Sequence, residues 1–429
     1  MNNLQTDKAP SLQVVVPPFI FGALSFFILT ILILLAGSDM LGPYFAGKML
    51  AITHLAVLGW STMIVLGALY QLVPVVFETA LFSEKLAKVT FWSFAVSIIL
   101  LVYAFWNSDF GIFLIYAASL MFSSLTLFVI NILLSKSNGK RNIQSWYVSA
   151  AVTWLLLTAL LGLLMAFNFK YTFFSQIHLH YLKIHAHLGL IGWFVSLIVG
   201  ISSTLIPMFL VSHQLDENKL KVAFYLINGG LALLSLDWLI LGGTLLVPAY
   251  WLAISCGILF YLAFIKDAYK KRLRKGLDTG MKYTMLAILS MLVPIILSIL
   301  ILLISDIESS FLLNATTLYG FSIIFGLITP IILGQTYKTL PFIIWLSKYK
   351  EYVGKHKTAM PKDLYSEIVG IVQLYMYYGA LGALINALIF QVSWMITVGS
   401  YALLLVAILY NVNVFKIIFH KIKLESLTS

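Results

Sequence analysis

Three stretches of this 429-residue chain share one frame. In each, glycines stand 5 and 13 residues after a marked position, and a proline stands 20 residues after it. The copies are His54 with Gly59, Gly67 and Pro74; His187 with Gly192, Gly200 and Pro207; and Phe321 with Gly326, Gly334 and Pro341. A repeat at a fixed period constrains architecture more than any local propensity, because each copy must fold as the same unit. The copies are about 133 residues apart, which sets internal repeats at approximately 16–135, 145–265 and 282–418.

The chain around this frame is strongly apolar. It is 61% hydrophobic and 10% charged, the composition of a polytopic membrane protein rather than a soluble globule. About 20 apolar residues cross the ~30 Å of bilayer hydrocarbon. Twelve runs reach that length: 16–37, 49–77, 88–106, 110–135, 145–167, 184–212, 220–242, 245–265, 282–304, 311–346, 366–390 and 393–418. The expected fold is an all-α membrane protein, a single polytopic domain of about twelve transmembrane helices in a pseudo-threefold arrangement of three four-helix units. The one cysteine, Cys256, lies inside an apolar run, which excludes a disulfide framework and a cysteine metal cluster.

A net charge of +11 would suit a nucleic-acid partner, but the placement of the charges assigns them to the membrane. With the N-terminus in the cytoplasm, the inner segments hold every Lys and Arg except Lys48, Lys170 and Lys183, as the positive-inside rule requires. The basic run from Lys266 to Lys282, with Arg272 and Arg274, is read as a topology signal and a lipid-headgroup contact. The expectation is an integral protein of a bacterial plasma (inner) membrane, with both termini cytoplasmic, the lipid bilayer as partner and no nucleic acid. Spans 2, 6 and 10 then run from outside to inside. His54, His187 and Phe321 lie near their outer ends, and the three prolines lie about 30 Å deeper at ~1.5 Å per residue.

Ionisable side chains inside a membrane are costly, which makes the histidines the first functional candidates. His185 and His187 are two residues apart, so on a regular helix they point about 200° from each other. They cannot chelate one metal, but they can serve two centres on opposite faces. Below His185 at helical spacing lie Gly189, Gly192, Ser196 and Gly200, a small-residue groove for a flat macrocycle or a close helix. His178 and His180 fall in the expected outer loop 169–183 and form H-x-H-x4-H with His185, a candidate copper or zinc cluster. For a lone histidine the bland alternative is a bond to a backbone carbonyl; equivalent positions in a repeat shift the balance toward function. His213, His356 and His420 are read as solvated. Asp237, near the outer end of span 7, either faces water or joins a histidine or propionate-region network. Lys338, at the inner end of span 10, is expected to snorkel to the surface.

His185-Ala-His187-Leu-Gly189-Leu-Ile-Gly192-Trp193 resembles the H-x-H-x-G-x-x-G-W pattern of the haem–copper oxidase subunit I superfamily, above all its C-type and nitric oxide reductase branches. His54, with Leu58-Gly59-Trp60 and Gly67-Ala-Leu-Tyr70-Gln-Leu-Val-Pro74, carries the same signature on the second span. The resemblance covers the whole chain in architecture and about 50 residues in motif. It implies twelve core helices in pseudo-threefold order, with metal ligands on the second, sixth, seventh and tenth. In the C-type branch one histidine of the pair binds a high-spin haem and the other a low-spin haem. The departures are specific. The two-histidine motif sits on the sixth span instead of the tenth, the tenth has Phe321 at the repeat position, and the seventh has no histidine. The resemblance therefore implies a divergent haem-binding relative, not a proton-pumping oxidase.

The sequence thus leads to a membrane protein with haem b, and with copper as a second candidate metal, in electron transfer or the handling of a diatomic gas such as O2 or NO. His54 and His187 are the expected axial ligands across one macrocycle, and His185 is left for a second haem or copper. An electron-donor protein or a quinol is the implied redox partner. The competing readings are a transporter of copper, haem or another small solute, and an assembly factor for a respiratory complex.

Overall fold

The structure, a computed structural model, describes residues 8–137, 139, 141–304, 310–422 and 424–425. Among them are twelve helices long and apolar enough to cross a membrane. Spans 1 to 6 are Leu12–Leu41, Gly47–Val76, Glu84–Trp106, Ile112–Lys136, Ile143–Tyr171 and His178–Leu210. Spans 7 to 12 are Asn218–Leu241, Val247–Lys270, Thr279–Leu303, Phe311–Tyr352, Glu367–Phe390 and Ser393–Ile418. The only strands among the described residues are a two-residue antiparallel pair, β1 (Lys357–Thr358) with β2 (Leu424–Glu425). An all-α membrane architecture follows from the chemistry of the bilayer, where each backbone N–H and C=O must be satisfied within its own helix.

Several spans open on a polar cap that takes up an end N–H. Ser83 accepts from Leu86 at the start of span 3, Asp278 from Met281 at span 9, and Asn142 forms a reciprocal capping box with Ser145 at span 5. Pro74, Pro207 and Pro341 are accommodated inside spans 2, 6 and 10. Span 9 breaks at Ser290–Met291; Pro294 cannot donate to the Ser290 carbonyl, so the α ladder is interrupted there.

The repeat frame has a physical counterpart in the backbone. Directly after each marked residue the α-helix widens into a π-helical stretch: Leu55–Thr62 after His54, Leu188–Val195 after His187, and Ser322–Ile328 after Phe321. π-Helix is rare and concentrates at functional positions. Each stretch is tied by a hydroxyl that donates five residues back to a carbonyl: Thr62 to Val57 (2.7 Å), Ser196 to Ile191 (3.5 Å) and Thr329 to Ile324 (2.9 Å). Spans 2, 6 and 10 are also the most buried. In their most apolar windows 67, 67 and 78% of residues are buried, against at most 50% in any other span.

The later glycines of the frame are helix crossings. A Cβ on Gly67 would lie 2.8 Å from the Val15 carbonyl oxygen of span 1, one on Gly200 would lie 2.5 Å from Tyr147 Cβ of span 5, and one on Gly334 would lie 2.6 Å from Tyr283 Cβ of span 9. In every copy the second helix of the repeat presses its glycine on the first.

The chain divides into two compact units, which do not follow the repeat boundaries. The first comprises Met1–Pro10, Leu69–Gly276 and Ile295–Asp306 and contains spans 3 to 8. There spans 3 and 4, 5 and 6, and 7 and 8 pack as sequential antiparallel neighbours. The second comprises Ser11–Ala68, Leu277–Pro294 and Ile307–Ser429 and contains spans 1, 10, 11 and 12. There span 12 packs on spans 1 and 11, and span 9 on span 10.

Candidate functional site

In the first unit, span 6 begins at His178 and takes in residues expected to be loop. The stretch His178-Leu-His-Tyr-Leu-Lys183 is too polar to be read as membrane helix. It is helical because its polar groups find partners on neighbouring elements. His178 stacks on Phe169 with centroids 4.0 Å apart, and its Nδ1 lies 3.5 Å from the Asn168 amide nitrogen. His180 Nε2 donates to the Trp238 carbonyl at 2.7 Å. His185 Nδ1 donates to the Thr158 carbonyl of span 5 at 3.0 Å. The ring of His185 fits against Gly162, where a Cβ would come within 2.9 Å of its Cε1. The three histidines are therefore turned to different partners. Among the described residues no group of three His, Cys, Asp or Glu side chains is placed to hold a metal ion.

The small-residue groove below His185 is occupied by a close helix. Gly189 faces Thr158, Gly192 faces Trp154 and Gly200 faces Tyr147, all on span 5. A hydrogen bond from Trp154 Nε1 to Asn228 Oδ1 (2.8 Å) extends this packing to span 7.

His187 points elsewhere. Its ring makes edge contacts with Trp238 and Trp251, each with a centroid separation of 5.2 Å. Its Nδ1 donates to the Lys183 carbonyl four residues earlier, at 2.6 Å. A carbonyl can only accept, so in the neutral ring Nδ1 carries the proton and Nε2 carries the lone pair. The Lys183 ammonium sits 4.8 Å from the Trp238 ring centroid, a cation–π contact. Asp237 is buried, and both of its carboxylate oxygens are taken by Thr244, one by the backbone N–H at 2.8 Å and the other by the hydroxyl. Asp237 thereby closes the turn after span 7.

In the second unit, His54 repeats the arrangement of His187. Its Nδ1 donates to the Leu50 carbonyl, again four residues earlier, at 2.7 Å. Both histidines thus stand immediately before a π-helical stretch, in one tautomer, held by the same local bond. Phe321, the third equivalent, stacks on Phe325 at 4.7 Å between centroids. Lys338, expected at the surface, is paired with Asp278 at 2.5 Å, with both side chains mostly buried. His420, expected to be solvated, hydrogen-bonds the Tyr349 hydroxyl at 2.8 Å, whereas His213 and His356 are exposed.

The sequence reading missed one polar region, in spans 10 to 12 of the second unit. Asn413 bonds the Ser366 N–H and carbonyl at 2.9 and 3.1 Å and donates to the Tyr337 hydroxyl at 3.2 Å. The Tyr337 hydroxyl donates to Gln373 Oε1, and Thr336 pairs with Tyr410 at 3.0 Å. Gln373 and Asn413 are fully buried. Amides in the middle of apolar runs were the available signal, although they carry no charge to draw attention. Compared with known proteins, the chain matches no protein-family model and no curated protein.

Proposed function

We propose that this chain is a membrane haem protein, in which His187 and His54 each serve as an axial imidazole ligand, working in electron transfer or in the handling of a diatomic gas. One observation supports this reading above the others: two histidines at equivalent repeat positions have Nδ1 locked by a carbonyl four residues back, each at the head of a π-helical stretch. A metal-ligating histidine is usually held this way, because a bond from the far ring nitrogen fixes the tautomer, orients the ring and raises the basicity of the ligating nitrogen. The bond is local to the helix and orients the ring. His185 differs, since its bond to Thr158 joins span 6 to span 5, and it is assigned a packing role.

Haem bound there would supply one-electron redox chemistry and, with an open axial position, gas binding; axial ligand and pocket polarity set which. The chain's own contribution on the His187 side is an apolar aromatic wall of Trp238 and Trp251 and a fixed Lys183 charge. The test is the haem content of purified protein by pyridine haemochrome. His54→Ala and His187→Ala each lower it, and His185→Ala leaves it in place. A protein purified without haem from haem-supplemented cells, or haem content indifferent to both substitutions, overturns the reading.

A further inference from the structure

No charged side chain occurs between Asp237 and Lys266, although the chain reverses within that stretch to join spans 7 and 8. The turn, residues 239–246, reads Leu-Ile-Leu-Gly-Gly-Thr-Leu-Leu. Its aliphatic side chains project outward. Leu239, Ile240, Leu241 and Leu246 are each more than half exposed, and Leu245 is 99% exposed. A contiguous patch of large apolar side chains marks a surface that meets a partner or a membrane.

The polar groups at the heart of the turn are bonded within it. Asp237 accepts the Thr244 N–H and the Thr244 hydroxyl. The Thr244 hydroxyl oxygen accepts from the Leu246 N–H at 3.2 Å, and the Thr244 carbonyl accepts from the Val247 N–H at 3.2 Å. The Trp238 carbonyl, at the entry to the turn, accepts from His180. Gly242 and Gly243 supply the positive φ values, 77° and 108°, that reverse the chain. Bilayer hydrocarbon excludes backbone whose polar groups are unmet, and these bonds meet the groups they join while the aliphatic side chains stay outside.

Depth leads the same way. The Lys219 ammonium pairs with Asp267 at the other ends of spans 7 and 8, which sets those ends at headgroup level, since charged side chains keep to the interface. Trp238 lies 19 residues after Lys219, and Val247 lies 19 residues before Lys266. At about 1.5 Å per residue each span has risen about 28 Å at these points, against about 30 Å of hydrocarbon. Tilt shortens that rise further. The turn therefore begins before the far edge of the hydrocarbon is reached. Its exposed side chains also continue a stripe that faces outward from the two spans, with Leu233 and Leu236 on span 7 and Leu252 on span 8.

We propose that the 239–246 turn is an interaction surface for lipid: it lies at the edge of the hydrocarbon, on the face opposite the 266–282 loop, with its five large aliphatic side chains among the acyl chains instead of in water. The turn also covers Trp238, because a Cβ on Gly243 would come within 3.4 Å of that ring. On this side the aromatic wall beside His187 is then backed by lipid. This inference rests on no part of the haem reading.

Nitroxide labels on single cysteines, in a Cys256→Ser background, test it in vesicles of phosphatidylcholine and phosphatidylglycerol. Power-saturation electron paramagnetic resonance compares collisions with oxygen, which concentrates in hydrocarbon, and with a water-soluble nickel chelate. Leu245→Cys replaces a side chain that is fully exposed, so the fold is not at stake. Its label, like one at Leu252→Cys on the outward side of span 8, is expected to collide several-fold more often with oxygen than with nickel. A label at His213→Cys, in the exposed connection between spans 6 and 7, is expected to show the reverse. A Leu245→Cys label that follows the His213→Cys label stands in water and overturns the proposal. A Leu245→Cys label shielded from both reagents is covered by protein, whether a second copy or a partner, and also overturns it.

Discussion

Replacing Gly200 with alanine places a methyl group 2.5 Å from Tyr147 Cβ. Neither atom can rotate away, since each Cβ is fixed by its own helix backbone. Non-bonded carbons settle about 3.5–4.0 Å apart, so spans 5 and 6 must separate by roughly 1 Å along that line. Forced overpacking of this kind costs about 1–3 kcal/mol. Against it stands the backbone-entropy gain of removing a helical glycine, about 0.5–1 kcal/mol. A net loss near 1–2 kcal/mol corresponds to a roughly 5- to 30-fold shift in the unfolding equilibrium. Gly229→Ala, in span 7, isolates the second term, because a Cβ there meets nothing within 4 Å. The assay is reversible SDS-driven unfolding in mixed micelles followed by helical circular dichroism. Gly200→Ala is expected to unfold at lower SDS fraction than wild type, and Gly229→Ala at equal or higher fraction. The same ordering is expected for Gly67→Ala and Gly334→Ala. If Gly200→Ala and Gly229→Ala behave alike, the frame glycines are not helix crossings and the physical basis of the repeat is misread.

Four further outcomes follow from the bonds described above. Thr62→Val and Thr329→Val remove the hydroxyls that hold the π-helical stretches, and each should cost about 0.6–1 kcal/mol, the scale of a hydrogen bond within a membrane, in the same assay. Lys338→Met removes the ammonium that pairs with the Asp278 carboxylate and should destabilise more than the Lys338→Met/Asp278→Asn double variant, so a double-mutant cycle with no coupling contradicts the pairing. Burial, with Asp278 and Glu367 nearby, pushes the Tyr365 phenol up to about 12. Unfolded tyrosine ionises near pH 10, so between these values the unfolded chain loses its proton first and stability falls as pH rises; Tyr365→Phe should flatten that fall. Reporter fusions should place the 266–282 loop in the cytoplasm, and an external signal there removes the basis of the assigned topology.

The architecture was legible because its signal is collective. Twelve apolar runs and their loop charges do not depend on any single residue, and the glycine–proline frame located three helices that proved the most buried in the chain. The start of span 6 was misplaced because His178, His180 and Lys183 lower the hydropathy of a segment that is nonetheless helical. Their partners, the Trp238 carbonyl, Phe169 and the Trp238 ring, come from other helices and cannot be read from local composition. The ambiguity of the groove below His185, between a macrocycle and a helix, was settled only by seeing span 5 in it. Asp237 was left open between facing water and joining a network, because nothing local in the sequence showed that Thr244, seven residues on, satisfies a buried carboxylate. The π-helical stretches have no rule of their own in sequence, but recurrence at one position of the frame marked where to look. The polar region of spans 10 to 12 went unread because its members are uncharged and spread over three helices.

The haem assignment is tested most directly by chemical rescue of the ligand. His187→Gly removes the imidazole and leaves space for a free one, while the Trp238 and Trp251 wall remains. The measurement is the reduced-minus-oxidised optical spectrum of purified His187→Gly with and without added imidazole. The account predicts that the six-coordinate band set of the wild-type protein is lost in the variant and returns, saturably, as imidazole is added. A variant that keeps the wild-type spectrum without imidazole, or a wild-type protein with no haem spectrum at all, would contradict it.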